Sequence, residues 1–172
     1  MRRARSPRGK VWKMAFFLTA LLVVAGDQIS KYWIRSNLAG GESLPETGLF
    51  RLTHINNTGA AFGLFQDQSF LLTIAAFTGI VLILLFVLTA SRYFPFLDST
   101  PGKMALGLVL GGTIGNLIDR LRFGYITDFI DIGIWPIFNL ADSAVTVGVI
   151  LFAYFFLSSS GANNPSQPEQ PE

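Results

Sequence analysis

The stretch "SFLLTIAAFTGIVLILLFVLTAS", residues 69–91, holds no charged residue, and its length decides the fold. A helix rises about 1.5 Å per residue and the hydrocarbon layer of a bilayer is about 30 Å thick, so this run crosses a membrane unaided. Working outward, three further apolar runs accompany it: Met14–Gly26, Met104–Ile118 and one from Ser143 to about Leu157. Each is short for a span and must extend through polar flanks to cross. That extension puts Asp27, Asp119 and Asp142 at or just inside the membrane interface. The expected fold class is an all-α polytopic membrane protein with four transmembrane helices.

Composition agrees. Mean hydropathy is +0.47, and 51% of the 172 residues are hydrophobic against 14% charged, which fits one membrane domain. The expected plan is a basic N-terminus at 1–13, a four-helix membrane domain at 14–157 and a polar tail at 158–172. That tail, "SSSGANNPSQPEQPE", is too poor in apolar residues to build a core and is expected to be disordered.

Charge placement predicts an orientation. Arg2, Arg3, Arg5, Arg8, Lys10 and Lys13 precede the first run, six of thirteen basic residues. The run ends in "AGDQISK", not in a small-residue cleavage site, so it reads as a retained anchor. Positive charge favours the inner side, and Arg92 and Lys103 against Asp98 agree for the link between the second and third runs. Both termini are then cytoplasmic, and the connections at about 37–67 and 119–137 face outward.

Several chemistries drop out. The chain has no cysteine, which removes disulfides, cysteine-ligated metals and thiol catalysis. His54 is the single histidine and lacks HExxH spacing, so a catalytic zinc is not expected. A transporter would place ionisable groups near the midplane within an internal repeat, and no repeat is present. Instead Asp27, Lys31, Asp119, Arg120, Arg122, Asp128, Asp131 and Asp142 converge on the outward side, with Asn56, Asn57, Asn116 and Asn139.

Asp128 and Asp142 are separated by "FIDIGIWPIFNLA", where Gly133 and Pro136 oppose one straight helix and allow the chain to turn back. If the two carboxyl groups meet, like charge keeps one protonated, giving a base for water and an acid for a carbonyl. Spacing alone leaves the point open. From the residues alone Asp142 fits better as a helix N-cap or first-turn carboxylate, with Asn139 or Asp142 satisfying free N–H groups at the positive end of the helix, and Asp131 is a rival partner for it.

The blocks "DQISK" (27–31), "NTGAAF" (57–62), "GGTIGNLIDR" (111–120), "TDF" (127–129) and "FNLAD" (138–142) stand in the order and spacing of the lipoprotein signal peptidases, signal peptidase II. The chain resembles these bacterial membrane aspartic proteases from about residue 14 to 157. The resemblance implies that Asp128 and Asp142 are catalytic and that Asn57, Asn116, Arg120 and Asn139 line the pocket and hold substrate. It implies cleavage of diacylglyceryl-modified prolipoproteins on the N-terminal side of the lipidated cysteine, in the cell inner membrane, with the site near the extracytoplasmic face. It further implies a small extracytoplasmic β-cradle and a short helix in the first outer connection. No metal or organic cofactor is expected. The expected partners are prolipoprotein and membrane lipid, not nucleic acid, and the chain is expected to act as a monomer. Against the family pattern, the pair Thr113–Ile114 stands where many relatives carry Ala–Leu or a similar apolar pair, and Thr127 where an aliphatic residue is common.

Other residues have structural readings. Asp27 and Lys31 sit at i and i+4 on one helical face and can pair, and Asp119 is expected to hold a helix end. Gly107, Gly111, Gly112 and Gly115 suit close helix packing, although the same absence of side chains could leave room for an acyl chain or an extended peptide. Trp12, Trp33 and Trp135 read as interface anchors. Phe62, Leu64 and Phe65 either dip into the bilayer edge or pack on the helices. Two rivals to the aspartic peptidase are a Ser–Lys hydrolase built on Lys31 with Ser30, Ser43 or Ser143, and a non-enzymatic lipid-binding or transport protein.

Overall fold

A computed structural model of the chain describes residues 8–59, 64–89 and 99–161, with side chains described from Met14 to Ser158 within those ranges. The elements in chain order are α1 (Arg8–Asn37), β1 (Ser43–Leu44), β2 (Arg51–Asn57), α2 (Ser69–Thr89), α3 (Thr100–Phe123), β3 (Ile126–Asp131) and α4 (Leu140–Gly161). Four helical stretches are long and apolar enough to cross a membrane: Met14–Asn37, Ser69–Thr89, Thr100–Phe123 and Leu140–Ser158. The short runs do lengthen through their polar flanks. α1 passes Gly26 to reach Asn37 and α3 passes Ile118 to reach Phe123, carrying Asp27, Lys31, Asp119 and Arg120 inside helices.

α3 is the axis of the bundle because its glycines admit neighbouring backbones. A Cβ on Gly107 would lie 2.7 Å from the Phe16 carbonyl oxygen, and one on Gly111 2.7 Å from that of Ala20, both on α1. Gly112 faces the Ala141 carbonyl of α4 in the same way, and Gly115 leaves room for the Asp27 carboxylate at 2.6 Å. Contacts this close exclude any side chain, so these positions serve helix packing. Phe16, Ala20, Leu106 and Leu110 form the buried apolar centre, and Ile80, Leu84 and Phe152 pack against it. α2 has no buried residue.

The ends of α3 are set by local chemistry. Ser99 caps its start, its side chain accepting from the Gly102 N–H. Gly124, at φ 79°, closes its end in the left-handed conformation and donates to the Arg120 carbonyl, which reverses the chain directly into β3. A second cluster, Ile34, Leu38 and Phe129, then seats β3 on the end of α1.

A small sheet stands beside the four helices at this end of the bundle. Three antiparallel strands form a sheet in the order β1-β2-β3, and β3 comes from the connection after α3, not from 37–67. Residues 126–131 pair because "ITDFID" is nearly all buried between sheet partner and helix ends. Among the described residues of the first connection there is no helix; residues 60–63, including Phe62, lie outside them. The link holding Arg92 and Asp98, residues 1–7 and residues 162–172 also lie outside the described residues, as does the side chain of Trp12. α4 continues past residue 158, where the polar tail was expected to begin.

Candidate active site

β2 and β3 run antiparallel with Ile55 opposite Asp128 and Asn57 opposite Ile126. Asn57 is thus the diagonal neighbour of Asp128 on one face of the sheet, and its Nδ2 donates to Asp128 Oδ2 at 2.8 Å. Asp142 arrives from the start of α4. Asn139 is the N-cap residue there: its Oδ1 accepts from the Asp142 N–H at 2.9 Å while Asp142 Oδ2 accepts from the Asn139 N–H at 3.2 Å. This reciprocal pair is a capping box. The capping and acid–base readings of Asp142 are therefore compatible, since one oxygen caps the helix and the other is left to the site.

Asn139 and Asn116 join the two carboxylates. Asn139 Nδ2 donates to Asp128 Oδ1 at 2.7 Å and to Asn116 Oδ1 at 3.2 Å, and Asn116 Nδ2 donates to Asp142 Oδ1 at 2.7 Å. Each of the four carboxylate oxygens thus accepts one N–H. No lysine or arginine bonds to either aspartate among the described residues. Asp128 is 2% exposed. Burial, and next the charge of Asp142, push its carboxyl up from 3.8 to about 7, against the pull of Asn57, Asn139 and Lys31. Near neutral pH Asp128 is therefore in the range where it takes up and releases a proton.

Asp128, Asp142, Asn57, Asn116 and Arg120 line one cavity of about 800 Å³, together with Gly59 from the β2 end, Ala76 of α2, Thr113 of α3, Trp135 and Pro136 before α4, and Thr146 within it. Arg120 Nη2 donates to the Gly59 carbonyl at 3.2 Å, and the Gly59 N–H donates to Asn57 Oδ1 at 2.9 Å. The strap after β2 is thereby tied to α3 and to Asp128. Asn139 is set differently from the others: it has no exposed surface and lies behind the cavity wall.

A second polar cluster sits beneath. Lys31 Nζ lies 2.9 Å from Asp27 Oδ2, 3.4 Å from Asp119 Oδ2 and 2.8 Å from Asn116 Oδ1, with all three charged side chains fully buried. Asp119 does hold a chain junction, accepting from the Thr127 N–H at 3.0 Å, and Asp27 accepts from the Ala141 N–H at 3.0 Å. Gln28 and Arg35 belong to this cluster and escaped the reading of the sequence. Gln28 Nε2 reaches Asp27, Asp119 and the Gly115 carbonyl. Arg35 Nη1 donates to Thr127 Oγ1 at 2.9 Å and lies 3.5 Å from Asp119. The available signal was the spacing of Asp27, Lys31 and Arg35 at successive i+4 steps on one face.

Two rivals lose ground. Asp131 sits at the far end of β3, where Arg51 Nη2 and Thr53 Oγ1 donate to it; the Gly133 N–H and these donors hold its carboxyl below the usual range despite burial. The serines proposed for Lys31 are engaged elsewhere: Ser30 with the Asp27 carbonyl, Ser43 with Thr53, and Ser143 with the Asn139 carbonyl. Trp33 and Trp135 are both partly exposed, and Leu64 and Phe65 are exposed.

Comparison with known proteins bears on this arrangement. Residues 19–158 match the family model described as signal peptidase (SPase) II. A lipoprotein signal peptidase of Dehalococcoides mccartyi is 46% identical over 147 residues, 86% of this chain and 91% of that protein. One of Moorella thermoacetica is 49% identical over 150 residues, covering 86% and 96%. A bacterial membrane enzyme solved by the in meso method at 2.3 Å resolution superposes with a TM-score of 0.78 at 29% identity, covering 90% of this chain and 94% of that one.

Proposed function

The chain belongs to the signal peptidase II family, and from that membership we propose that Asp128 and Asp142 are the catalytic pair of an aspartic endopeptidase. Membership makes it a peptidase that removes signal peptides from prolipoproteins and a multi-pass protein of the bacterial inner membrane. The finer reading is that it cuts diacylglyceryl-modified precursors on the N-terminal side of the lipidated cysteine, acting as a monomer without metal or organic cofactor. The termini are cytoplasmic and the cavity opens near the extracytoplasmic face.

One observation carries the reading: two carboxylates on one cavity wall, linked by amides and, among the described residues, with no cation bonded to either. Asp128 holds the shared proton and donates a hydrogen bond to the scissile carbonyl. Asp142, ionised, takes a proton from water, which attacks the carbonyl carbon. In the tetrahedral intermediate the former carbonyl oxygen carries the proton from Asp128. Asp142 then gives its proton to the leaving amine as the C–N bond breaks, and Asp128 recovers a proton from the collapsing hydroxyl. Both carboxyls return to their starting states. Asn57, Asn116 and Arg120 hold the substrate's polar backbone, and Asn139 holds the two carboxylates in register. Ala76 and Thr146 border the cavity on α2 and α4, which supports lateral arrival of an apolar signal segment from the bilayer.

The test is cleavage of a diacylglyceryl-modified prolipoprotein in detergent by the wild type, Asp128→Asn and Asp142→Asn, with folding checked for each. Folded but inactive variants are the expected result. Normal cleavage by either variant sinks the pair.

A further inference from the structure

We propose that Lys31 is a positioning residue for catalysis, acting through Asn116 to orient the hydrogen-bond donor of Asp142; this rests on the assignment of the aspartate pair above. The argument is one of polarity. A primary amide presents a carbonyl on one side and N–H groups on the other, and rotation by half a turn exchanges them. A carboxylate oxygen needs the N–H side. Each asparagine of the site therefore works only if a donor holds its carbonyl.

All three are held in this way. Asn57 Oδ1 accepts from the Gly59 N–H, Asn139 Oδ1 from the Asp142 N–H, and Asn116 Oδ1 from Lys31 Nζ. The first two restraints are main chain. Lys31 is a side chain, so here the polarity of the site is open to substitution. An ammonium has three donors and no acceptor, and those of Lys31 are directed at Asp27, Asp119 and Asn116. Asp27 and Asp119 balance the charge and hold the ammonium in place; the contact with Asn116 transmits it. Without Lys31, the flip that turns the Asn116 oxygen toward Asp142 no longer breaks an ammonium bond, and is opposed by the 2.7 Å bond to Asp142 itself and the weaker 3.2 Å bond from Asn139.

The test separates this role from simple support of the fold. kcat and KM are measured on a diacylglyceryl-modified prolipoprotein in detergent for Asp142→Asn, Asp27→Asn, Asp27→Asn/Lys31→Met, Asp27→Asn/Lys31→Gln and Asn116→Asp, with Tm for each. Asp27→Asn keeps the Lys31 donor and retains kcat within about tenfold, whereas the Met double variant loses at least about a hundredfold in kcat with KM changed less than about threefold. The Gln double variant restores a neutral donor and recovers at least about tenfold over Met at similar Tm, which a purely structural role would not produce. Asn116→Asp keeps acceptors for Lys31 and Asn139 but offers Asp142 an oxygen, and loses at least about a hundredfold. Retention of kcat by Asn116→Asp, or equal kcat for the Met and Gln double variants, overturns the proposal; if a Lys31 variant fails to fold, Asn116→Asp decides. Activity in Asp142→Asn overturns the catalytic pair itself, while an inactive Asp142→Asn beside an active Asn116→Asp removes only the role of Lys31.

Discussion

Two groups of aspartates lie side by side in this molecule and share Asn116. Asp27 and Asp119 surround a fully buried Lys31 within 3.4 Å, whereas Asp128 and Asp142 receive only N–H groups, one on each oxygen. The residue type is the same, and Asp27, Asp119 and Asp128 are buried while Asp142 is half-buried; the partner differs. Asp27 and Asp119 pair with an ammonium and tie α1, α3 and α4 together. Asp128, beside another carboxylate and with amide partners alone, takes up and releases a proton near neutral pH, which is what acid–base work requires. The contrast teaches that depth and partner act together in this fold: burial raises the Asp128 carboxyl first and the neighbouring Asp142 next.

The sharpest way to break that contrast is to neutralise one group at a time. Asp128→Asn and Asp142→Asn are expected to lower kcat by at least about 10³-fold while the protein stays folded. Lys31→Met strands two buried carboxylates and is expected to cost about 3–5 kcal/mol of stability, measured by thermal or denaturant unfolding in detergent. If the Asp128 variant unfolds and the Lys31 variant does not, the roles are reversed.

A pH series sharpens the same point. The folded value for Asp128, about 7, lies above the ordinary 3.8, so its proton is bound more tightly in the folded state. The stability this supplies is complete below about pH 3.8 and is lost as pH rises through about 7, to at most about 4 kcal/mol in all. Asp128→Asn is therefore expected to raise Tm over wild type at about pH 8, with the gain shrinking toward about pH 5. A Tm difference independent of pH would contradict the assignment.

Gly115→Ala probes the boundary between the groups. The added Cβ would meet Asp27 Oδ2 at 2.6 Å, and the expected cost is about 1–3 kcal/mol, with activity falling as Lys31 shifts. Asp131→Asn is the mildest change. Its partner Arg51 is about a third exposed, so a loss of about 1 kcal/mol or less is expected with kcat unchanged.

Much of this was legible in the sequence, and unevenly so. The span at 69–89 was plain because lipid demands an unbroken apolar run, and α2 buries nothing against the protein. The other spans were clipped because hydropathy penalises Asp27, Lys31 and Asp119, which are tolerated within helices because Lys31 pairs with Asp27 four positions away and with Asp119 across 88 positions of chain (119 − 31). Such pairing is a tertiary fact. The same holds for β3: "ITDFID" reads as a connection until β2 is beside it. Five short blocks nominated the site residues, and the structure sets Asp128, Asp142, Asn57, Asn116 and Arg120 on one cavity wall, yet the blocks did not distinguish Asn139 behind that wall from Asn57 and Asn116 on it. Burial decides that distinction, and no motif encodes it. The i+4 series from Asp27 to Arg35 could have been read and was stopped one step early.

The central claim is that Asp128 carries the proton of the pair at neutral pH. Its most direct test is a carboxyl-carbon NMR titration of the aspartate-labelled protein in micelles, assigned by loss of one signal in Asp128→Asn. The account predicts that this signal titrates near 7, whereas titration at the ordinary aspartate value of about 4 would contradict it.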